Sequence, residues 1–180
     1  MHSDEDLYGR VRGGDMSAFD ELYRRYETPL FGFLLSHVRV RQDAEDVFHE
    51  AFLSALKGPA PSFGGPGQSF RAWLFRVARN RVLNHQRAQR RGGRALERLP
   101  EAEPAAKPDE GLEAGELKEA LERALGTLPA PLAELYHLRS SGLRYDEMAS
   151  VLEVPLGTIK SRMNHLVSLL REELRPWVAS

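Results

Sequence analysis

Apolar residues recur along this chain at helical spacing, and no stretch alternates as a half-buried strand would. Asp15 or Ser17 is placed to cap a helix carrying Phe19, Leu22, Tyr23, Tyr26, Leu30, Phe33 and Leu34, whose spacings of three and four make one apolar stripe. A second helix is predicted from about Gln42 to Lys57, with Ala44, Val47, Phe48, Ala51, Phe52 and Ala55 inward. Gly58 to Ser69 then breaks the pattern with Pro59, Pro61, Gly64, Gly65, Pro66 and Gly67, and Ser69 suits the N-cap of an arginine-rich helix. From about Gly92 to Gly111 the period disappears among prolines, alanines and charges, which is linker composition. Helices resume near Leu112, where Leu117, Leu121, Leu125 and Leu128 form a stripe. After Pro129 and Pro131 come the segments Leu132–Ser140, Tyr145–Leu152 and Pro155–Leu174. The expectation is an all-α chain of two helical domains joined by a flexible linker, with no internal repeat.

The last of these segments has the grammar of a helix-turn-helix. A short helix carries Met148, Ala149 and Leu152, a tight turn falls at Glu153-Val154, and Pro155 suits the first position of the next helix, where its missing N–H costs nothing. There Ile159, Met163, Leu166 and Leu170 recur on the core side, leaving Lys160, Ser161, Asn164 and His165 on the other. Such a helix can enter a major groove and read base edges. An ordinary amphipathic hairpin has the same grammar, so the pattern leaves both readings open.

Charge sharpens the picture by its distribution, since the net charge is only −1. From Phe70 to Arg94 there are eight arginines (71, 76, 79, 81, 87, 90, 91, 94) and no acid, whereas Glu97 to Glu122 is strongly acidic. Arg76, Arg79, Asn80, Gln86, Arg87 and Arg90 share one helical face. Such a stripe, lacking carboxylate partners, repels itself unless it meets an anion such as a phosphate; a solvated face is the alternative. The absence of cysteine excludes disulfides, thiol catalysis and Cys-ligated zinc, and fits a reducing cytoplasm. The polar, acidic stretch Met1 to Asp6 is no signal peptide, and no apolar run approaches the ~20 residues that span a bilayer, so no membrane insertion is expected. Gly64 to Ser69 lacks the Gly-Lys-Ser/Thr of a phosphate-binding loop, and the six histidines (2, 37, 49, 85, 137, 165) have no metal-ligand spacing. No catalytic residues, cofactor or metal are expected.

Four collinear stretches then carry a family resemblance. Leu128-Pro129 through Arg162, with Tyr145-Asp-Glu-Met-Ala and Val154-Pro-Leu-Gly-Thr-Ile-Lys-Ser-Arg, resembles the −35-reading domain of bacterial RNA polymerase sigma factors. Gly14-Asp15 through Tyr26, Asp43-Ala-Glu-Asp-Val-Phe-His-Glu-Ala-Phe-Leu53, and Phe70-Arg-Ala-Trp-Leu-Phe-Arg-Val-Ala-Arg-Asn80 are similar to the core- and −10-binding domain. A short chain with only these two domains has the layout of the extracytoplasmic-function (ECF) group.

The resemblance implies residues 1–91 as the core- and −10-binding domain, 92–111 as an acidic, proline-containing linker, and 112–180 as the −35-binding domain. It implies a cytoplasmic initiation subunit that melts promoters with RNA polymerase and is not itself an enzyme. Its expected partners are core polymerase (the β′ coiled coil and the β flap), promoter DNA and an anti-sigma factor. Asp43, Asp46, His49, Glu50 and Phe52 are the expected polymerase contacts, although the family often has Gln where His49 stands. Phe63, Arg76, Arg79, Asn80, Arg87 and Arg90 are expected at the −10 element, with Phe63 and Asn80 on a flipped base. Arg139, Tyr145, Thr158, Lys160, Ser161, Arg162, Asn164 and His165 are expected at the −35 element. The linker, of roughly 20 residues, reaches at most about 60–70 Å, between one and two DNA turns of about 34 Å. It is either a passive tether or a nucleic-acid mimic in a basic channel. The rival readings are a free-standing helix-turn-helix regulator, an anti-sigma or adaptor protein, and an enzyme, for which no site suggests itself.

Overall fold

The acidic start of the chain, unsuited to a signal peptide, folds as a helix that the periodicity reading passes over. In the computed structural model, which describes residues 2–38, 40–91 and 112–178, α1 spans Asp4–Arg12. Ser3 accepts from the Asp6 N–H at 3.0 Å while the Asp6 carboxylate takes the Ser3 N–H, a reciprocal cap that contributes about 1 kcal/mol. Leu7 and Tyr8, and Val11 one turn on, are buried.

Of the two candidate caps for α2 (Met16–Leu35), Asp15 is the one used: its Oδ1 accepts from the N–H groups of Ser17 and Ala18. Leu22, Tyr26, Leu30, Phe33 and Leu34 are buried as the stripe predicts, while Phe19 and Tyr23 are half-buried against the core. α3 (Arg41–Lys57) and α4 (Phe70–Arg91) complete the N-terminal unit. Ser69 caps α4 as expected, accepting from the Ala72 N–H at 3.1 Å, and Glu5 of α1 takes the Phe70 N–H at 2.8 Å. The first helix thus closes the end of the fourth.

The C-terminal unit comprises α5 (Leu112–Thr127), α6 (Ala130–Ser140), α7 (Tyr145–Leu152), α8 (Leu156–Glu173) and the short α9 (Arg175–Val178). In α5 the buried positions are Ala120 and Ala124, and Leu117 is 39 % exposed. Of the leucine stripe expected there, Leu121, Leu125 and Leu128 are half-buried and Leu128 packs against the core, while α5 packs on α8 and buries the neighbouring alanines most deeply. Pro155 sits at the N-cap of α8, one position before the expected one, and accepts from the Thr158 N–H at 2.9 Å. The proposed linker, 92–111, lies outside the described residues.

α7 lies against α4 and α6 reaches α2, so the two units share a seam. Their buried apolar residues form one connected cluster running from Leu7 to Leu166. It includes Tyr26, Phe33, Phe70, Phe75, Leu135 and Ile159, each fully buried. Each such side chain contributes about 1.5–3 kcal/mol. No strand occurs among the described residues.

Candidate polymerase and nucleic-acid surfaces

The core buries Phe70, Leu74, Phe75, Ala78 and Val82 of α4, which turns the arginines toward the other side. They are not left to repel one another. Arg79 Nε donates to Glu134 Oε1 of α6 at 2.7 Å, Arg81 pairs with Glu50 of α3 at 2.6 Å, and Arg71 donates to the Gly142 carbonyl at 2.9 Å. The expectation of an arginine stripe without carboxylate partners is corrected at Arg79 alone, whose acid lies far away in sequence on the C-terminal unit; Arg71 and Arg81, which have partners of their own, lie off that stripe. Asn80 and Arg87 remain exposed, and Arg87 donates to Asn84 Oδ1 at 3.3 Å. Arg76 makes no ion pair among the described residues. The Arg90 side chain lies outside the described residues.

Phe63, on the loop before α4, is half-buried and packs edge-on to Tyr8 at 5.7 Å between centroids. Trp73 joins Tyr8 and Phe70 in the same aromatic group. These rings and the loop form a cleft of about 360 Å³ lined by Phe63, Gly67, Ser69, Trp73, Arg76 and, from α7, Ser150. Gly67 has φ +68°, and a Cβ there would run into the Asp146 carbonyl. Only glycine fits that approach.

On α3, Asp46, His49 and Glu50 are exposed. Asp43 is half-buried with its Oδ2 3.0 Å from His85 Nε2. Phe52 is 3 % exposed and packs with Phe19, Tyr23 and Phe48. A surface contact by this side chain is corrected to a core role, because the apolar stripe of α3 that carries it faces inward.

The helix-turn-helix has the expected faces. Glu153 makes the turn in the left-handed region at φ 56°. Ile159, Met163 and Leu166 are buried, and Lys160, Ser161, Asn164 and His165 are exposed. Thr158 and Arg162 are half-buried at the margin. Arg139 is exposed, donates to the Leu143 carbonyl at 3.2 Å, and sits 6.0 Å from the centre of the exposed Tyr145 ring.

The sequence reading missed the seam itself. Asp146 Oδ2 accepts from the Gly67 N–H at 2.9 Å, and Glu147, only 5 % exposed, accepts from Ser69 Oγ at 2.5 Å. The one available signal was that Glu147 falls on the apolar face of α7, four residues before Val151. Burial alone would raise the Glu134 carboxyl, but hydrogen bonds from His37 and Arg79, with the Arg79 charge, hold it below the usual carboxylate range. Burial, aided by the nearby His37, pushes His137 down. Among the described residues there is no group of side chains able to hold a metal, and no helix long and apolar enough to cross a membrane.

These surfaces have counterparts in known proteins. Residues 22–92 match sigma-70 region 2, and residues 118–166 match sigma-70 region 4. The chain is 31% identical to the RNA polymerase sigma-H factor of Pseudomonas aeruginosa, over 98% of this chain and 96% of that protein. It is 30% identical to the ECF RNA polymerase sigma-E factor of Escherichia coli K12, over 98% and 96%. Among solved structures it is similar to CnrH in complex with the cytosolic domain of CnrY (TM-score 0.64, 23% identity, 97% of this chain and 99% of that one). It is also similar to the sigma factor RpoE in complex with the anti-sigma factor NepR from Bartonella quintana (TM-score 0.61, 24% identity, 87% and 96%).

Proposed function

This chain belongs to the extracytoplasmic-function group of sigma factors, subunits that direct RNA polymerase to specific promoters, and from that premise we propose how its surfaces divide the work. Residues 1–91 bind core polymerase and the −10 element, 92–111 link, and 112–180 bind the −35 element. Asp46, His49 and Glu50 on α3 present acid and an imidazole to the β′ coiled coil. Acid repels DNA phosphates, so this face suits a basic protein partner. Asp43 supports the same helix from a half-buried position.

Arg76, Arg79, Asn80, Arg87 and Arg90 on α4 take the −10 strand, their guanidiniums on phosphates and Asn80 on a base edge. A displaced base needs a ring to stack on and polar groups for its edge, which Phe63 and the cleft beside it supply. On α8, Lys160, Ser161, Arg162 and Asn164 read the −35 groove, with Thr158 and His165 at its margins. Arg139 and Tyr145 brace the phosphates. The −35 domain also contacts the β flap. The observation that carries this reading is the sorting of charge by helix: acid outward on α3, arginine on α4, and a polar reading face on α8 whose opposite side is anchored in the core.

The protein works in the cytoplasm as a non-enzymatic initiation subunit. A protein inhibitor is its regulator: the RpoE sigma factor of similar fold is in complex with the anti-sigma factor NepR, and CnrH, also similar in fold, is in complex with the cytosolic domain of CnrY. The test is reconstitution with core polymerase and a library of promoter variants. Expected are transcripts, made only when this chain is present, that share −10 and −35 elements. Core polymerase giving the same transcripts without it would overturn the reading.

A further inference from the structure

The helix assigned to the −35 groove begins without a polar side chain. Between Glu153 and Thr158 stand Val154, Pro155, Leu156 and Gly157. Val154 packs against the core, whereas Pro155, Leu156 and Gly157 are exposed. Leu156 is the first residue of α8 and is 41% exposed. A lone exposed leucine is ordinary; the place of this one gives it meaning. The Cα–Cβ bonds of a helix tilt toward its N-terminus, so a side chain at the first position projects past the helix end. In a helix-turn-helix that end of the second helix lies nearest the base edges. Leu156 also stands one turn before Lys160 and two before Asn164, both exposed.

The next residue is a glycine that the protein itself does not need. Among the described residues, a Cβ at Gly157 would meet nothing within 4 Å beyond its own turn of helix, and its φ lies outside the left-handed region. Neither packing nor backbone conformation asks for glycine here, in contrast to Gly67, and glycine weakens a helix relative to alanine. Lys160, Ser161 and Asn164 follow at three, four and seven residues, which puts Gly157 on their exposed face. The missing side chain leaves a notch in that face beside Leu156.

In the major groove the bases present hydrogen-bonding groups and one apolar group, the C5-methyl of thymine. A leucine brought against the groove floor strips water from donors and acceptors that it cannot satisfy, except opposite that methyl. We propose that Leu156 packs on the C5-methyl of a thymine in the −35 element, the notch at Gly157 letting the end of α8 come close enough for contact. The proposal rests on the assignment of α8 to the −35 groove and adds to it a position read by apolar contact. Lys160 and Asn164 read neighbouring positions by hydrogen bonds.

The experiment uses the full chain with core polymerase, on a promoter taken from the library described above. Each thymine of its −35 element, on either strand, is replaced in turn by deoxyuridine, which pairs identically and lacks only the methyl. One such replacement should lower promoter use by the wild type about threefold, as the loss of one buried methyl group implies. Leu156→Ala should lower use of the thymine promoter by at least as much and be indifferent to that same replacement. It should unfold at the wild-type temperature and bind core polymerase as the wild type does, which separates lost reading from lost folding. Gly157→Ala should unfold no lower than the wild type and yet use the promoter less well. Full promoter use by Gly157→Ala overturns the close approach. Full use of every deoxyuridine promoter by the wild type, or undiminished sensitivity in Leu156→Ala, overturns the thymine contact while leaving α8 in the groove. A library that yields no −35 preference at all would strike the assignment of α8, and this contact with it.

Discussion

Arg79 and Glu134, 55 positions apart in the chain, meet at 2.7 Å with both side chains largely withdrawn from water. His37 Nε2 lies 3.5 Å from the same carboxylate oxygen, and the His37 and His137 rings lie 6.4 Å apart. The turn after α2, with α4 and α6, thus brings titratable groups to one point on the seam.

This cluster makes stability depend on pH. The Glu134 carboxyl is held below its ordinary value of 4.5, so its contribution is present above that value and is lost as pH falls through the lowered one. His137 is also held below its ordinary 6.5; the fold favours the neutral ring, and that contribution shrinks as pH drops from 6.5. Thermal unfolding followed by circular dichroism should show the melting temperature declining below pH 6.5 and again below 4.5. Glu134→Gln should lessen the lower component, the rest of which includes Asp15, held down by its hydrogen bonds from Ser17, Arg10 and Ala18. Identical wild-type and variant profiles below pH 4.5 would show that the carboxylate gains nothing from the seam.

Charge reversal on α3 should weaken core polymerase binding while leaving helical content intact. Asp46→Lys is the cleaner probe, because Glu50→Lys also strips Arg81 of its partner. A loss on the order of tenfold is expected for Asp46→Lys, with the stronger effect at low salt. Titration of labelled core polymerase measures it, and unaltered binding by both variants would move the interface elsewhere.

The free protein should bind promoter duplex weakly. From Leu132 onward it has six basic residues (139, 144, 160, 162, 171, 175) against six acidic ones (134, 146, 147, 153, 172, 173), so few counterions are released on binding. Mobility shifts at physiological salt should show little complex until core polymerase is added. Tight, sequence-specific binding by the chain alone would favour a free-standing regulator.

The reading helix carries a prediction about specificity. After Lys160-Ser161-Arg162 the chain continues Met163-Asn164-His165, without a further basic run, so base contacts should concentrate at the start of α8. Lys160→Ala and Asn164→Ala should each alter −35 preference at one position, by about 1–3 kcal/mol, whereas Arg139→Ala should lower use of all promoters alike. Transcription from −35 variants checks this. Unchanged preference in both α8 variants would mean that another face of the helix enters the groove.

Much of this molecule was legible in one dimension. Periodicity located α2, α3, α4 and the pair α7–α8, because the faces that bury Leu30, Phe48, Leu74 and Ile159 repeat at the spacing of a helix whatever they pack against. Ser69 as the cap of α4 and the exposed Lys160 and Asn164 followed from the same local rules. Local rules failed where the answer depended on a partner. α1 hides among acids, and its Leu7 and Tyr8 acquire meaning only beside Phe63 and Phe70. In α5, which packs on α8, Ala120 and Ala124 are buried and Leu117 is left exposed. Phe52 belongs to a motif that resembles a polymerase-binding segment, yet the core claims its ring.

The charges depended most on tertiary structure. A sequence states how many arginines α4 has and how many acids the C-terminal domain has, but Coulombic attraction and hydrogen bonding fall off within a few ångströms, and distance is not a property of a string. The order of the helices and the apolar side of most of them were determined by the sequence alone, through spacing. Whether the arginines of α4 face solvent, DNA or Glu134 was decided only when folding set those groups side by side.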